Sequence, residues 1–241
     1  MSAQENKDKV KAFFDKAEHY ITRNPSILTR AALIKDFFAT IKNKEILDLG
    51  CGDGQLTVQF LSDNRVTFVD FSSEMLKCVV KEIPTNNAMN ATIIQSTIED
   101  FSSHRRYDVV FCVGVLAHVT SIEDTLQHIS KFVGLDGYLV LQYTDADNLY
   151  TKMSRLWMHG LKKGWRSTRP YSLNKTCKKE VMSILKKLSF DLVREDKYPS
   201  SVLGLGRVSL GLATRLNLLI GRMPLVNLLC GEKLVFTVNR A

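Results

Sequence analysis

The chain has 241 residues, of which 45% are hydrophobic, and a formal net charge of +8 at pH 7. This length can bury one hydrophobic core, so a single domain is predicted, alone or with a cap. The five cysteines include no Cys-x-x-Cys pair, and the polar, acid-containing N-terminus has no apolar run; these features argue against disulfides, a zinc or other metal site, a signal peptide and a transit peptide, and predict a cytoplasmic protein.

The first predicted element is a helix over residues 10–20. Its pattern places Phe13, Phe14, Ala17 and Tyr20 on or near one face. A helix that packs on the rest of the domain explains this face, and so does a helix that folds over a ligand.

Strand patterns follow at regular intervals. Five of them, at about 45–49, 65–70, 91–95, 107–113 and 137–143, alternate with helical patterns. This alternation predicts an α/β fold with a parallel, doubly wound sheet. Two further strands are predicted late in the chain, at 190–198 and 232–240. The Leu-Asp-Gly sequence at 135–137 predicts a turn that starts the fifth strand.

The turn after the first strand is the most informative part of the sequence. Residues 45–54 run from an apolar strand into three glycines, with carboxylates at Asp48 and Asp53. Glycines allow a sharp turn and a close approach to a ligand, as in nucleotide sites. A dinucleotide site requires Gly-x-Gly-x-x-Gly, but here the third glycine comes one residue early, at Gly54, and Gln55 takes the last position.

The two carboxylates of this turn also disfavour a pyrophosphate. Like charges within a few ångström of each other cost roughly a few kcal/mol at the dielectric of a protein surface. A ligand with an ammonium and a sulfonium but no phosphate suits the same carboxylates, and S-adenosylmethionine is such a ligand. The second strand ends in Asp70, sixteen residues after Gly54, where an acid can accept both ribose hydroxyls. NAD enzymes share that feature, so Asp70 supports a ribose without distinguishing the two cofactors.

The sequence resembles the class I S-adenosylmethionine-dependent methyltransferases in four segments. Residues 47–54 resemble motif I of that family, 69–76 its acidic strand end and following helix start, 93–101 its adenine-flanking segment, and 107–119 its fourth strand and substrate loop. The match covers roughly residues 10–145. It implies a Rossmann-like, doubly wound, seven-stranded sheet that is mostly parallel, with an antiparallel closing strand and helical cap elements.

The resemblance also implies which residues bind the cofactor. Tyr20 would cap the methionine end, and Thr97 stands where the family often has an aspartate that binds the adenine amino group, so that contact is expected from the backbone near Ile98 or from a shorter side chain. The predicted cofactor-binding residues are Tyr20, Asp48, Gly50, Gly52, Asp70, Phe71, Met75, Thr97, Ile98, Glu99 and Val113.

His118 is the predicted catalytic residue. Methyl transfer from a sulfonium is an in-line displacement in which the protein mainly aligns the reactants, and a hydroxyl acceptor also needs a base. His118 lies in the predicted substrate loop and can serve as that base. The alternative is a histidine that only shapes the pocket. The acid that usually precedes it in the family is replaced by Ala117, which removes a carboxylate role at that position.

Two segments after residue 145 carry unusual composition. Residues 152–187 contain eleven lysines and arginines against one acid, Glu180; this stretch could meet nucleic acid, anionic lipid or a phosphorylated substrate, or form a solvated helical face. Residues 202–230 are mainly apolar, with Arg207, Arg215 and Arg222 on one side of a helix. This second segment is interpreted as a membrane-surface helix, as a lid over an apolar substrate, or as a helix pair broken near Pro224 that packs on the domain or on a second subunit.

The predicted organisation is one methyltransferase domain over 1–241. It has an N-terminal helical cap over about 1–40, substrate-side helices at 146–188 and an apolar, basic helical insertion at 202–230. The predicted function is methyl transfer from S-adenosylmethionine to an oxygen or nitrogen of a small-molecule acceptor, apolar or lipid-linked. The alternatives are an RNA or other nucleic-acid methyltransferase that uses the basic segment, and a non-catalytic nucleoside or NAD binder. A homodimer and peripheral contact with a membrane through 202–230 are left open.

Overall fold

The computed structural model describes most of the chain. The described residues are Glu5, Lys9, Val10, Ala12, Asp15, 25–148, Asn174, 176–199, 209–224 and 230–241. The α-helices are α1 (Pro25–Phe37), α2 (Ser73–Glu82), α3 (Ile122–Ser130), α4 (Lys178–Lys187) and α5 (Leu210–Arg222). The strands are β1 (Glu45–Leu49), β2 (Arg65–Asp70), β3 (Ala91–Gln95), β4 (Tyr107–Cys112), β5 (Val133–Thr144), β6 (Phe190–Tyr198) and β7 (Glu232–Asn239).

These strands form one seven-stranded sheet in the order β3-β2-β1-β4-β5-β7-β6. Neighbouring strands from β3 to β5 pair in parallel, whereas β7 pairs antiparallel with both β5 and β6. The predicted Rossmann-like sheet with an antiparallel closing strand is therefore confirmed. The strand order reverses between β1 and β4, and ligands of doubly wound folds bind at that point, outside the carboxyl ends of the strands.

Both faces of the sheet are covered by apolar side chains, which is why its central strands read as continuous hydrophobic runs. One core includes Leu47 and Leu141 and extends to Leu185 of α4. The other includes Phe68 and Phe236 and extends to Ile34 of α1. Helices α1 and α4 thus pack on opposite faces of the sheet.

Two local predictions differ from the structure. The predicted turn at 135–137 lies inside β5, because the pairing with β4 shifts register there and Asp136 takes a φ of 55°. A Cβ on Gly137 would lie 2.8 Å from the carbonyl oxygen of Gly134, so the glycine permits a bulge in a continuous strand. After the glycine turn, only a 3-10 helix at Val58–Phe60 forms, in place of the expected α-helix.

Several predicted features lie outside the described residues. They include Tyr20 and most of the predicted helix at 10–20, most of the basic segment before α4, and Arg207. Within the later segment, α5 ends at Arg222, two residues before Pro224, and packs against α1 and β6. The predicted packing on the domain is thus present for this helix, and the second helix of the predicted pair lies outside the described residues. The division of the chain into cap, substrate-side helices and insertion stays a prediction.

Candidate functional site

The glycine turn lies between the carboxyl ends of β1 and β2. Gly50, Gly52 and Gly54 have φ values of 73°, 56° and 77°, which L side chains rarely adopt. The backbone N–H groups of Gly50 and Cys51 donate to the carbonyl oxygen of Val69, at 2.8 and 3.1 Å. The turn is therefore anchored on the end of β2.

Gly50 has little room in this turn. A Cβ there would lie 2.5 Å from Cγ2 of Val115, in the loop after β4. The β1 turn and the β4 loop thus meet directly at the switch point of the sheet. Glycine at position 50 therefore lets the turn pack directly against the side chain of Val115, and the turn and the β4 loop together form the cradle in which a cofactor is expected.

Asp48 lies beneath the turn and is only 1% exposed. Its Oδ2 accepts a hydrogen bond from the Thr57 hydroxyl at 2.6 Å. Burial raises the pKa of Asp48 to about 7, the Thr57 hydrogen bond opposes the shift, and the charges of Asp70 and Asp53 add to it. A cation placed above the turn would favour the ionised form of this carboxylate.

Asp70 connects the turn to the start of α2. Its Oδ2 accepts from the N–H of Gly52 at 2.9 Å, and its Oδ1 accepts from the N–H of Ser72 at 2.9 Å. The Ser72 hydroxyl in turn donates to Oδ1 of Asp15 at 2.6 Å, so the N-terminal segment reaches this edge. Burial raises the pKa of Asp70 despite these backbone hydrogen bonds, and the charge of Asp15 adds to the shift.

Three buried carboxylates therefore surround the glycine turn: Asp48, Asp53 and Asp70. The pKa of Asp53 is also raised, mainly by burial. Among the described residues, none of the three forms an ion pair with a basic side chain. Buried carboxylates are costly unless a cation or hydrogen-bond donors compensate them, so this cradle fits a ligand with positive charge and hydroxyl donors, as S-adenosylmethionine has.

The predicted adenine side lies at the ends of β2 and β3. Met75 is buried in the first turn of α2, and Ile98 is buried after β3, whereas Phe71 is half-buried. The hydroxyl of Thr97 donates to Oδ2 of Asp100 at 2.7 Å and accepts from the N–H of the same residue. This hydroxyl is engaged in the local turn, which is consistent with an adenine contact through the backbone near Ile98.

A cavity of about 490 Å3 opens next to this segment. Ile98 and the exposed Glu99 form one wall, and the first turns of α3, including Ser121 and Asp124, form the other. The predicted contacts of Phe71, Met75, Thr97, Ile98 and Glu99 with the cofactor stay predictions. These five residues lie along the edge formed by the ends of β2 and β3, which is consistent with the predicted contacts.

The loop after β4 carries the predicted base. Val113 is buried at its start, and His118 is half-buried with its Nδ1 shielded from solvent. The N–H of His118 donates to the carbonyl oxygen of Val115 at 2.8 Å. Asn174, before α4, closes the loop: its N–H donates to the carbonyl oxygen of Ala117 at 2.8 Å, and its Nδ2 donates to that of Val119.

A second set of polar groups approaches this loop from α1. Nε of Arg30 donates to the hydroxyl of buried Tyr198 at 2.7 Å. One terminal nitrogen of Arg30 lies 3.2 Å from the position of a Cβ on Gly114, whose φ is 83°. Gln142 donates from Nε2 to Oε2 of Glu232 at 2.5 Å. Arg30 and Gln142 thus lie next to Gly114 of the β4 loop, and Tyr198 and Glu232 hold these two side chains in place.

The structure places Asp48, the glycines, Asp70 and His118 together where the carboxyl ends of the parallel strands meet, and their roles stay predictions. Sequence reasoning did not find Asp15, Thr57, Arg30 or Asn174. These four act through tertiary contacts, and the Arg30–Tyr198 bond spans 168 residues. Of these four residues, only Thr57 has a signal in the sequence, because its hydroxyl comes shortly after the glycine turn and the apolar strand that contains Asp48.

The comparisons with known proteins agree with this geometry. Residues 17–184, more than half of the chain, match the family model described as a methyltransferase domain. The chain therefore belongs to the methyltransferase domain family. The predicted class, the S-adenosylmethionine-dependent class I methyltransferases, is confirmed, and the predicted cofactor, S-adenosyl-L-methionine, is confirmed at the level of that family.

Individual relatives are similar over part of their length. The ubiquinone biosynthesis O-methyltransferase of Rickettsia bellii is 28% identical over 109 residues, which cover 45% of this chain and 45% of that protein. The tRNA U34 carboxymethyltransferase of Shewanella frigidimarina is 30% identical over 138 residues, covering 52% of this chain and 42% of that protein. The chain thus spans less than half the length of these curated relatives.

Among solved structures, magnesium protoporphyrin IX methyltransferase from Synechocystis with bound SAH has a similar fold. Its TM-score is 0.65 at 15% identity, and the match covers 97% of this chain and 99% of that chain. At this identity the likeness concerns the fold alone. Within the described part of the chain, no helix has the length and apolar character needed to cross a membrane.

Proposed function

We propose that this protein transfers the methyl group of S-adenosylmethionine to an oxygen or nitrogen of a small, apolar or lipid-linked molecule. The observation that carries the proposal is the set of three buried carboxylates around a glycine turn without a basic partner among the described residues. A dinucleotide would bring further negative charge to that set, whereas a sulfonium and an ammonium would neutralise it.

The residues of the chain have two tasks in this reaction: to hold the methyl donor and to remove a proton from the acceptor. S-adenosylmethionine supplies, when bound, a methyl group that its sulfonium leaving group activates. The glycine turn and Asp70 hold the donor in one orientation, and alignment of donor and acceptor can lower the barrier by roughly 7 to 11 kcal/mol. His118, in the loop that meets Gly50 through Val115, accepts the proton of a hydroxyl acceptor, which contributes about 10²–10⁴-fold.

Two observations support an apolar acceptor. One of the relatives is named as an O-methyltransferase of ubiquinone biosynthesis, a pathway whose name points to apolar quinone-type molecules. The α5 helix exposes large apolar side chains on a protein with a net charge of +8. Both favour an apolar acceptor, and with it a cytoplasmic protein that works next to a membrane.

A calorimetric titration separates methyl-donor binding from dinucleotide binding. Purified protein is titrated with S-adenosylhomocysteine and, separately, with NADH. Binding of S-adenosylhomocysteine alone is expected, because only that ligand lacks a pyrophosphate. Binding of NADH alone would refute the proposal and favour the nucleotide-binding alternative.

The acceptor is then identified by transfer of labelled methyl groups from S-adenosylmethionine to cell extract fractions, with and without membranes. Label is expected in the organic-soluble material of the membrane fraction. Label that remains with RNA would contradict the proposed acceptor while leaving the methyltransferase activity intact.

An RNA acceptor is the second candidate. The similarity to a tRNA U34 carboxymethyltransferase and the lysines on the surface of α4 support it. However, no Asn/Asp-Pro-Pro-Tyr/Phe motif follows β4, as methylation of a base amino group would require. An affinity for tRNA that falls steeply with salt, together with transfer of label to it, would favour this candidate.

A further inference from the structure

Helix α5 exposes three large apolar side chains. Leu212, Leu219 and Met223, which caps the helix, are 49%, 57% and 44% exposed. The opposite face of α5 packs on the domain through buried Ala213 and Asn217, and Nδ2 of Asn217 donates to the Thr29 hydroxyl of α1 at 3.1 Å. The helix is therefore held on the protein by one face and presents the other to its surroundings.

The exposed apolar residues form a narrow stripe. At about 100° per residue, Leu212, Leu219 and Met223 fall within about 40° of one another. Arg215 and Arg222 are both exposed and lie along one side of the stripe, about 40° to 100° from its three members. The helix contains no acidic residue. Apolar side chains flanked by arginines are typical of a helix that lies in the plane of a membrane interface.

The charges packed around α5 do not cancel this pattern. Asp196 of β6 is close enough to Arg222 for the arginine to lower the pKa of its carboxyl group, although burial raises that pKa overall. Asp196 and Asp36 both pair with Arg194, at 2.9 and 2.8 Å. The nearby acids thus already have a cationic partner, and the outer face of α5 remains positive.

The helix also ends next to the candidate site. Gly221 packs on the backbone of β6 so closely that a Cβ there would collide with the carbonyl oxygen of Lys197. The next residue of β6, Tyr198, holds Arg30, which lies against Gly114 in the β4 loop. The C-terminal end of α5 therefore lies at the same edge of the sheet as the predicted methyl-transfer site.

We infer that the outer face of α5, defined by Leu212, Arg215, Leu219, Arg222 and Met223, docks on the surface of an anionic lipid bilayer. The apolar stripe enters the interface between headgroups and acyl chains, and the arginines extend to the phosphates. The inference rests on the proposed function, since this orientation presents the site edge to acceptors dissolved in the membrane.

The test is co-sedimentation with vesicles of phosphatidylcholine alone and of an equimolar mixture with phosphatidylglycerol. The full chain is expected to sediment with the mixed vesicles, less so as salt increases, and not with phosphatidylcholine alone. Arg215→Gln should lower the partition coefficient roughly five-fold. Leu219→Gln should lower it more than about ten-fold, because a leucine side chain no longer enters the interface.

The matched controls are Lys77→Gln, which removes an exposed cation, and Met89→Gln, which removes an exposed apolar side chain. Both positions lie near β2 and β3, at the opposite end of the strand order from β6, on which α5 packs. Both control variants should bind vesicles as the unmodified chain does. Equal binding by all four variants, or no binding by the unmodified chain, would overturn the inference. A third result would also overturn it: in sedimentation without lipid, the unmodified chain is a dimer and Leu219→Gln is a monomer. The apolar stripe would then be a subunit interface.

Calorimetry with S-adenosylhomocysteine on the same variants keeps the two proposals apart. None of the four positions lies at the glycine turn, so unchanged affinity is expected in all of them. Loss of vesicle binding with normal affinity for S-adenosylhomocysteine supports the docking face. Absence of S-adenosylhomocysteine binding in the unmodified chain would instead refute the proposed function, whatever the vesicles show.

Discussion

The Thr57 hydroxyl donates to Oδ2 of Asp48 at 2.6 Å, beneath the glycine turn. Both side chains are buried, so this hydrogen bond stabilises a carboxylate that has almost no contact with water. The pKa of Asp48 is nevertheless raised to about 7, because desolvation exceeds the effect of the hydrogen bond. The site thus holds a negative charge at a cost in stability, which a bound cation would offset.

The first prediction concerns the substitution Asp48→Asn in the ligand-free protein. Asp48 has a higher pKa in the folded chain, about 7, than the usual 3.8, so the folded state binds more protons between these values. Stability is therefore lost as pH rises through this window and stays lower above it. Asp48→Asn removes the charge, and at pH 8 it should raise the free energy of unfolding by up to about 4 kcal/mol.

This prediction is checked by urea unfolding at pH 5 and pH 8. The difference between variant and unmodified chain should be larger at pH 8, while affinity for S-adenosylmethionine falls in the variant. Asp191→Asn, at an exposed position of β6, is the control and should show no such pH dependence. A variant that is less stable at pH 8 than at pH 5, relative to the unmodified chain, would contradict a raised pKa of Asp48.

Gly50→Ala is the second prediction. The new Cβ would lie 2.5 Å from Cγ2 of Val115. The turn would also require the alanine to adopt a φ of 73°, which is strained for an L residue. We expect loss of measurable S-adenosylhomocysteine binding in calorimetry, because the turn and the β4 loop must move apart. Gly211→Ala is the matched control: no atom lies within 4 Å of its Cβ position on α5. It should keep full affinity and gain up to about 1 kcal/mol in stability.

The strands of the sheet could be predicted from the sequence because their signals are local. The strand bounds predicted for β1 to β4 from apolar and β-branched runs agree with the structure to within a residue. Asp70 followed from its position at the end of the second strand, and Asp48 followed from the glycines and carboxylates of the turn after the first.

Predictions were wrong where the chain departs from local rules. The Leu-Asp-Gly sequence at 135–137 has the composition of a turn, but the neighbouring strand continues past it and converts it into a bulge. The contact between Asp15 and Ser72 joins residues that are 57 positions apart in the sequence. No periodicity reports such a contact, and the same holds for the position of Arg30 against Gly114.

Asp70→Asn is the third prediction. Asp70 accepts backbone hydrogen bonds from Gly52 and Ser72 with its two oxygens, and an asparagine has only one acceptor oxygen. We expect roughly ten- to hundred-fold weaker binding of S-adenosylhomocysteine, because both the ribose contact and the anchor of the turn are weakened. Circular dichroism should show an intact fold. Unchanged affinity in calorimetry would rule out the ribose assignment; Asp63→Asn, an exposed acid after the 3-10 helix, should leave affinity unchanged.

His118→Gln is the fourth prediction and tests the base. Glutamine is similar in size and polar but cannot accept a proton near neutral pH, so labelled methyl transfer to the acceptor fraction should fall about 10²–10⁴-fold. Affinity for S-adenosylhomocysteine should stay the same, because the change lies in the β4 loop rather than at the carboxylates. His104→Gln, at an exposed position before β4, should keep full turnover. A His118→Gln variant with full turnover and normal cofactor affinity would leave His118 as a residue that only shapes the pocket, and alignment by the glycine turn would then account for catalysis.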